Sequence, residues 1–172
     1  MIALPNVVQE AGHTCGAAAL RAICLYYGVG PDDERRIARD MRLTRAGSDP
    51  VHVIRAATRY GLRHREFRGM TGAQLRRCLD RGHPVMLALQ AWGEGHWVVA
   101  IGHDASGITV EDPWRKRTRG RFRYAALDAA WHDVEGPRDA PLVRYGLELW
   151  PALRTAAART PSSRSGRAGR RT

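Results

Sequence analysis

The segment that most constrains this chain runs from Cys15 to Tyr27 and reads CGAAALRAICLYY. It predicts an α-helix that is apolar nearly all the way round, with Arg21 as its one charged residue. A helix at the surface of a domain needs only one apolar face. This helix must therefore lie in the middle of a domain, covered by other elements on most sides.

The remaining pattern places helices before strands. Capping residues, prolines and glycines delimit three further helices, at 32–41, 49–61 and 71–81. Continuous apolar runs and a hairpin turn at 104–107 then indicate buried strands at 85–92, 96–102 and 108–111. A short helix at 124–131 and a last strand at 142–150 complete the pattern. Helices followed by antiparallel strands are the order of an α+β domain.

Charge is unevenly distributed along the chain. The 172 residues include 28 Lys and Arg against 17 Asp and Glu, a formal net charge of +11. Residues 154–172 hold six arginines, no acid and none of the Leu, Ile, Val or Phe residues. That composition predicts a disordered basic tail, and residues 1–153 are predicted to form one domain.

The sequence also argues against several classes of protein. No apolar run approaches the roughly 18 residues that cross a bilayer, and the N-terminus lacks the pattern of a signal peptide. Three cysteines without a Cys-x-x-Cys pair favour neither a disulfide framework nor a zinc site. We therefore expect a cytoplasmic protein that needs no metal or other cofactor.

Cys15 stands at the predicted N-terminus of the buried helix. The N–H groups and the positive end of the helix dipole at such a position stabilise a thiolate. A nucleophilic thiol also needs a base, and the chain has seven histidines. His96 is the best placed, because it follows a Gly-x-Gly turn and begins an apolar strand; His13, close to Cys15, is its main rival.

Two further residues fit around Cys15 and His96. Asp112 ends the strand that returns from the hairpin toward His96, where a carboxylate can accept the imidazole N–H and stabilise the imidazolium. Aspartate before proline is also a common turn residue. Gln9 precedes Cys15 by six positions, and its amide could donate to an oxyanion together with the Cys15 N–H. By itself Gln9 is better interpreted as a surface glutamine.

Together, Q-x5-CGAA from Gln9, GHWVV around His96 and DP at Asp112 resemble the bacteriocin-processing cysteine peptidase family. The resemblance runs from about Leu4 to Trp114, and the WHD segment at 131–133 is also similar. It implies a papain-like fold, with N-terminal helices packed on an antiparallel sheet. In that family's terms Cys15 is the nucleophile, His96 the general base and then acid, Asp112 its orienting group and Gln9 an oxyanion donor.

The resemblance implies a free-standing cysteine peptidase that hydrolyses a peptide bond, for example in maturing a leader-bearing peptide. Thr14 departs from the family, many of whose members carry an acidic residue just before the cysteine. Two other functions use the same cleft: a papain-like acyltransferase, and a catalytically silent domain that binds peptides. A nucleic-acid-binding protein is the least favoured, because the basic run at 115–123 lacks a recognised binding motif.

Four residues are candidates for contact with a peptide or protein substrate. Trp97 follows His96 and belongs either to the core or to the wall of a cleft. Arg117, Arg119 and Arg121 follow Asp112 in the basic run, and we expect them to favour an acidic peptide. The sequence leaves the oligomeric state open.

Overall fold

The computed structural model describes residues 1–91, 93–114 and 119–152. It contains the following helices and strands, in chain order: α1 (Cys15–Tyr27), α2 (Glu34–Asp40), α3 (Pro50–Arg59), β1 (Leu62–Phe67), α4 (Gly72–Asp80), β2 (Val85–Ala91), β3 (Glu94–Asp104), β4 (Gly107–Glu111), β5 (Arg119–Arg123), α5 (Tyr124–Ala130), β6 (His132–Glu135), β7 (Ala140–Val143) and β8 (Gly146–Pro151). The basic tail predicted for 154–172 lies outside the described residues.

The strands form two antiparallel sheets. Six strands are ordered β1-β8-β2-β3-β4-β5, and β6 pairs with β7 in a separate ribbon. The hairpin of β2 and β3 lies near the middle of the larger sheet, which is why both strands are apolar along most of their length. The predicted α+β class, with N-terminal helices on an antiparallel sheet, is confirmed.

Helix α1 has the buried position that its sequence predicts. Its residues Ala17, Ala18, Leu20 and Ile23 are fully buried. The helix packs against β3 on one side and against α2 and α3 on others, so apolar groups are needed around most of its circumference. In the described part of the chain, no helix has both the length and the apolar character needed to span a bilayer.

The helices begin after the predicted capping residues, except that the cap of α2 lies one residue later than predicted. Thr71 caps α4 in a capping box with Gln74, as expected. Helix α2 is capped by Asp33, whose carboxylate accepts from the N–H groups of Arg35 and Arg36. The cap predicted at Asp32 is wrong by one residue, because the Asp32 carboxylate instead pairs with Arg21 at 2.9 Å.

The observed strands differ from the predicted ones. Strand β1, LRHREF, was not predicted, because it is an edge strand with four exposed polar residues in a row and no apolar alternation. The single strand predicted over 142–150 is two strands in different sheets. Arg144 breaks it, since its φ of 48° is incompatible with a continuous strand.

Candidate active site

Cys15 is the first residue of α1, so its side chain lies at the N-terminal end of a buried helix. Thr14 occupies the capping position, but its hydroxyl bonds to the backbone of Ala11 and gives the helix no side-chain cap. Gly16 allows close packing next to Cys15, because a β-carbon there would overlap Ser48 Oγ and lie 3.1 Å from the ring of Trp97. A thiol at this point faces helix N–H groups that favour an anion.

His96 and Asp112 meet through the pairing of β3 with β4. Val99 lies opposite Glu111, so Asp112, the next residue, reaches the side chain of His96. His96 Nε2 lies 2.7 Å from Asp112 Oδ1, and both side chains are buried. The same carboxylate oxygen accepts the N–H of Trp114 at 3.0 Å, which holds the carboxylate in place. His96 is therefore fixed in one orientation.

The other side of the His96 ring meets the thiol. Cys15 is a hydrogen-bond partner of His96, whose Nε2 faces Asp112. Burial alone would lower the pKa of His96, but the hydrogen bonds to Asp112 and Cys15 outweigh burial and raise that pKa to about 9. At neutral pH the ring is then an imidazolium, and a cation beside the sulfur stabilises a thiolate.

Cys15 opens onto a cleft of about 650 Å³, within the usual size range of ligand sites. Residues 45–49 form one wall of this cleft, and residues from β2, β3 and β6 form the other. The second wall contains Gln90, Gly95 and Asp133. His13, the rival base, also lines the cleft, but it is exposed, and it is His96 that contacts both Cys15 and Asp112.

Gln9 is buried just before the loop that leads to Cys15. Its amide nitrogen donates to the carbonyl oxygens of Ala11 at 2.7 Å and Gly12 at 3.0 Å, so it shapes that loop. The backbone of Gln9 also donates to the carbonyl of Pro113 at 2.8 Å, which ties the loop to the Asp112 segment. The role of Gln9 as an oxyanion donor stays a prediction, and it requires the amide to release one of those carbonyls.

The four predicted substrate contacts have different positions. Trp97 lines the cleft, and its indole N–H donates to the carbonyl of Ser48 at 3.1 Å, so it supports the opposite wall. Arg119 pairs with Glu111 at 2.6 Å and Arg121 with Asp104 at 2.5 Å. Neither arginine is among the residues that line the cleft, and Arg117 lies outside the described residues. Their preference for an acidic peptide stays a prediction.

Sequence reasoning missed much of the cleft. The wall at 45–49 lies in a connection between helices and carries no recognisable motif. Gln90 is the next-to-last residue of an apolar strand that is typical of a core. Asp133 stands out in the sequence only as part of a segment similar to the family. Their approach to Cys15 depends on how distant elements pack, which no local pattern reports.

A buried helix that presents a thiol to a histidine and an aspartate on an adjoining sheet defines the papain-like class of folds. The model of the Peptidase_C39 like family matches residues 1–136, and the chain belongs to that family.

Solved structures share this fold at low sequence identity. The peptidase domain of Streptococcus ComA, a bi-functional ABC transporter involved in quorum sensing, is 17% identical, with a TM-score of 0.70 over 85% of this chain and 97% of that one. A double glycine motif protease from an AMS/PCAT transporter, in complex with its leader peptide, is 20% identical, with a TM-score of 0.65 over 87% and 92%. A structure described as a C39-like peptidase from Bacillus anthracis is 13% identical, with a TM-score of 0.67 over 87% and 96%. Among curated proteins, none matches the sequence.

Proposed function

We propose that this protein is a cysteine peptidase whose nucleophile is Cys15. The observation that carries the proposal is the continuous contact from Cys15 to His96 to Asp112, with the thiol at a helix N-terminus and open to the cleft. Each of the three side chains has the neighbour that its role requires. Membership of the Peptidase_C39 like family points to the same chemistry.

In the first half of the reaction, Cys15 Sγ attacks the carbonyl carbon of the scissile peptide bond. The proton held by His96 passes to the leaving nitrogen, so that an amine departs and a thioester remains on Cys15. In the second half, His96 takes a proton from water, which attacks the thioester carbon and releases the carboxylic acid. Asp112 stabilises the imidazolium form of His96 in both halves.

The negative oxygen that forms at the carbonyl needs hydrogen-bond donors. The N–H of Cys15 at the start of α1 is one candidate, since Thr14 does not cap that helix end with its side chain. The amide of Gln9 is the second candidate, after it releases the carbonyl of Ala11 or Gly12. A donor of this kind contributes roughly 3–4 kcal/mol to transition-state stabilisation in other enzymes.

We propose a peptide, for example one with a leader segment, as the substrate. The cleft, of about 650 Å³, has the usual size of a ligand site, and Gly47, which has open space where a β-carbon would stand, leaves room for a peptide backbone to approach. A relative of the same fold was solved in complex with a leader peptide. The basic segment gives little support to nucleic acid, because Arg119 and Arg121 are already paired with carboxylates. The cytoplasmic location stays a prediction.

The experiment that tests this proposal is incubation of the purified protein with a pool of synthetic peptides, followed by mass spectrometry of the products. Wild-type protein is expected to generate new termini, Cys15→Ala none, and the matched control Cys78→Ala the wild-type products. Products from Cys15→Ala, or none from wild type, would contradict the proposal. Adding a free amine during the reaction distinguishes hydrolysis from acyl transfer, since transfer gives peptides extended by that amine.

A further inference from the structure

Asp133 lines the same cleft as Cys15 but takes no part in the contact between Cys15, His96 and Asp112. It is the second residue of β6, and its carboxylate lies against the backbone of Gly95, the residue before His96. A β-carbon on Gly95 would stand 2.5 Å from Asp133 Oδ1 and 2.7 Å from Oδ2. The carboxylate therefore occupies the space that a side chain at position 95 would need.

The carboxylate of Asp133 is held by one of its oxygens. Oδ1 accepts the Gln90 side-chain amide at 3.0 Å and the Val134 N–H at 2.9 Å. Gln90 lies opposite Gly95 in the pairing of β2 and β3, so the sheet itself sets the position of this amide. Within the ranges 1–91, 93–114 and 119–152, both bonds go to Oδ1, and Oδ2 is left to accept from a ligand in the cleft.

No arginine or lysine in the described part of the chain forms an ion pair with Asp133. Burial raises the pKa of its carboxyl, and the N–H of Val134, the amide of Gln90 and the charges of His132 and His96 oppose that rise only in part. A positive group placed beside the carboxylate would offset the cost of burying its charge. Arg45, which also lines the cleft, repels such a group, whereas Asp49 and Glu94 in the same lining carry the same sign of charge as Asp133.

We propose that Asp133 forms a subsite that selects a peptide residue with a cationic side chain, lysine or arginine, close to the bond that is cut. The inference rests on the proposed peptidase function and adds a substrate class to it. Asp133 Oδ2 accepts an N–H of the substrate's ammonium or guanidinium group. The side-chain amide of Gln90 donates to Oδ1 and so keeps the carboxylate beside Gly95, the residue before His96. This selectivity is opposite in sign to that expected from Arg117, Arg119 and Arg121.

The test measures binding separately from catalysis. Labelled hexapeptide pools, each with one position fixed as Lys, Nε-acetyl-Lys or Glu and the other five randomised, are titrated into the Cys15→Ala protein and followed by fluorescence anisotropy. At one fixed position, the lysine pool is expected to bind about fivefold more tightly than the acetyl-lysine pool, the size of a partly screened ion pair. When Asp133→Asn is introduced into the Cys15→Ala protein, the ratio between the affinities for the two pools should be close to one.

A matched control is Glu94→Gln, which removes one negative charge from an exposed residue of the same cleft and should keep most of the lysine preference. Absence of a lysine preference at every position, a preference for the glutamate pools, or a lysine preference that survives Asp133→Asn would overturn the proposal. Failure of the peptidase function appears differently: wild type then leaves the preferred pool uncut, while Cys15→Ala still binds it selectively.

Discussion

Within the described ranges of the chain, a thiol, a histidine and a carboxylate come together at two places. At the first, Cys15, His96 and Asp112 meet at the wall of the cleft. At the second, Cys78 in the last turn of α4 accepts from Arg81 Nη2 at 3.4 Å beside the carboxylate of Glu148 in β8, and His83 Nδ1 lies 2.8 Å from that carboxylate. The two sets contain the same chemical groups, so their difference shows what composition alone does not determine.

The order of the groups differs between the two sets. In the first, histidine stands between thiol and carboxylate and can carry a proton from one side to the other. In the second, the carboxylate of Glu148 stands in the middle and is bound by Arg81 at 2.7 Å and by His83. Burial would raise the pKa of Glu148, but these hydrogen bonds lower it instead. No proton path from Cys78 through a histidine exists there among the described residues.

The position of each thiol along its helix also differs. Cys15 begins α1, where the helix dipole favours an anion, whereas Cys78 lies near the end of α4, where it opposes one. The pKa of Cys78 is raised to about 11, mainly by burial and secondly by the negative charge of Glu148. Cys78 is therefore a neutral core thiol at physiological pH. The comparison teaches that the place of the sulfur on its helix and the order of its neighbours decide reactivity.

The largest difference is expected when each thiol is removed. Cys15→Ala should lower peptide turnover by about 10⁴-fold or more, because the nucleophile is lost. Cys78→Ala should leave kcat within about twofold, since only a buried contact is changed. Steady-state assays of both variants, with circular dichroism to verify folding, check this pair. A loss of turnover in Cys78→Ala at full folding would break the comparison.

The next largest effect concerns the carboxylate behind the histidine. Asp112→Asn should lower kcat by about 10²–10⁴-fold, because the imidazolium loses its stabilising charge. Activity of the wild type should fall as the pH rises through about 9, where His96 loses its proton. In the variant this alkaline limb should move to lower pH, since the hydrogen bond to Asp112 helps to raise the pKa of His96.

The stability that His96 contributes follows the same pKa. Because its folded value of about 9 exceeds its ordinary value of 6.5, the contribution is complete below the ordinary value and is lost as the pH rises through about 9. Denaturant titrations across this range in wild type and Asp112→Asn check the sign. An alkaline limb and a stability profile that both stay in place in the variant would contradict the role of Asp112.

Glu148→Gln tests the second set through stability rather than activity. It should lower the free energy of unfolding by about 2 kcal/mol, because Arg81 and His83 lose the charge of a buried partner. The loss is limited because the side chain of Arg81 is partly exposed to water, which screens the pair. Turnover per folded molecule should not change. The pKa of Glu148 lies below its ordinary value of 4.5, so its contribution is present above that value and is lost as the pH falls.

Denaturant titrations of wild type and Glu148→Gln at pH 7 and pH 4 separate these expectations. The gap in unfolding free energy should narrow at the lower pH. A gap that widens on acidification, or a loss of kcat at pH 7 in well-folded Glu148→Gln, would connect this cluster to catalysis and weaken the distinction between the two sets.

The smallest effect is expected from the outer partner of Glu148. Arg65 Nη1 lies 4.0 Å from the carboxylate and its side chain is 59% exposed, so water screens the pair. Arg65→Ala should lower the unfolding free energy by no more than about 0.5 kcal/mol. Thermal unfolding of Arg65→Ala beside Arg81→Ala checks this, with the larger loss expected for Arg81. Equal losses would show that distance and exposure do not rank these two pairs.

The sequence predicts those parts of the fold that have a local pattern. The apolar circumference of α1, the Thr71 cap and the apolar runs of β2 and β3 are all visible in it. Strand β1 was missed because an edge strand whose side chains face water has no apolar alternation. The break at Arg144 follows from packing between two sheets, which the apolar run around it conceals.

The residues of the candidate site could likewise be predicted only where a local pattern marks them. Cys15, His96 and Asp112 could be selected because each stands at the end of a predictable element, and their order along the chain resembles a family. The partners of Arg119 and Arg121 could not be predicted. Glu111 meets Arg119 only through the pairing of β4 with β5, and Arg121, on the same strand β5, reaches Asp104 at the end of β3. Asp133 reaches the cleft through a ribbon that the sequence does not delimit.

The central claim is that Cys15, and not the other thiol with a histidine and a carboxylate nearby, is the reactive one. Timed alkylation of the folded protein with iodoacetamide at pH 7, followed by peptide mass spectrometry, measures the reaction of each thiol directly. All three cysteines are free thiols, so the extent of alkylation can be measured for each. We predict that Cys15 is modified well before Cys78 and Cys24, and that Asp112→Asn slows its modification. Modification of Cys78 at the same rate as Cys15, or of Cys15 only after unfolding, would contradict the account.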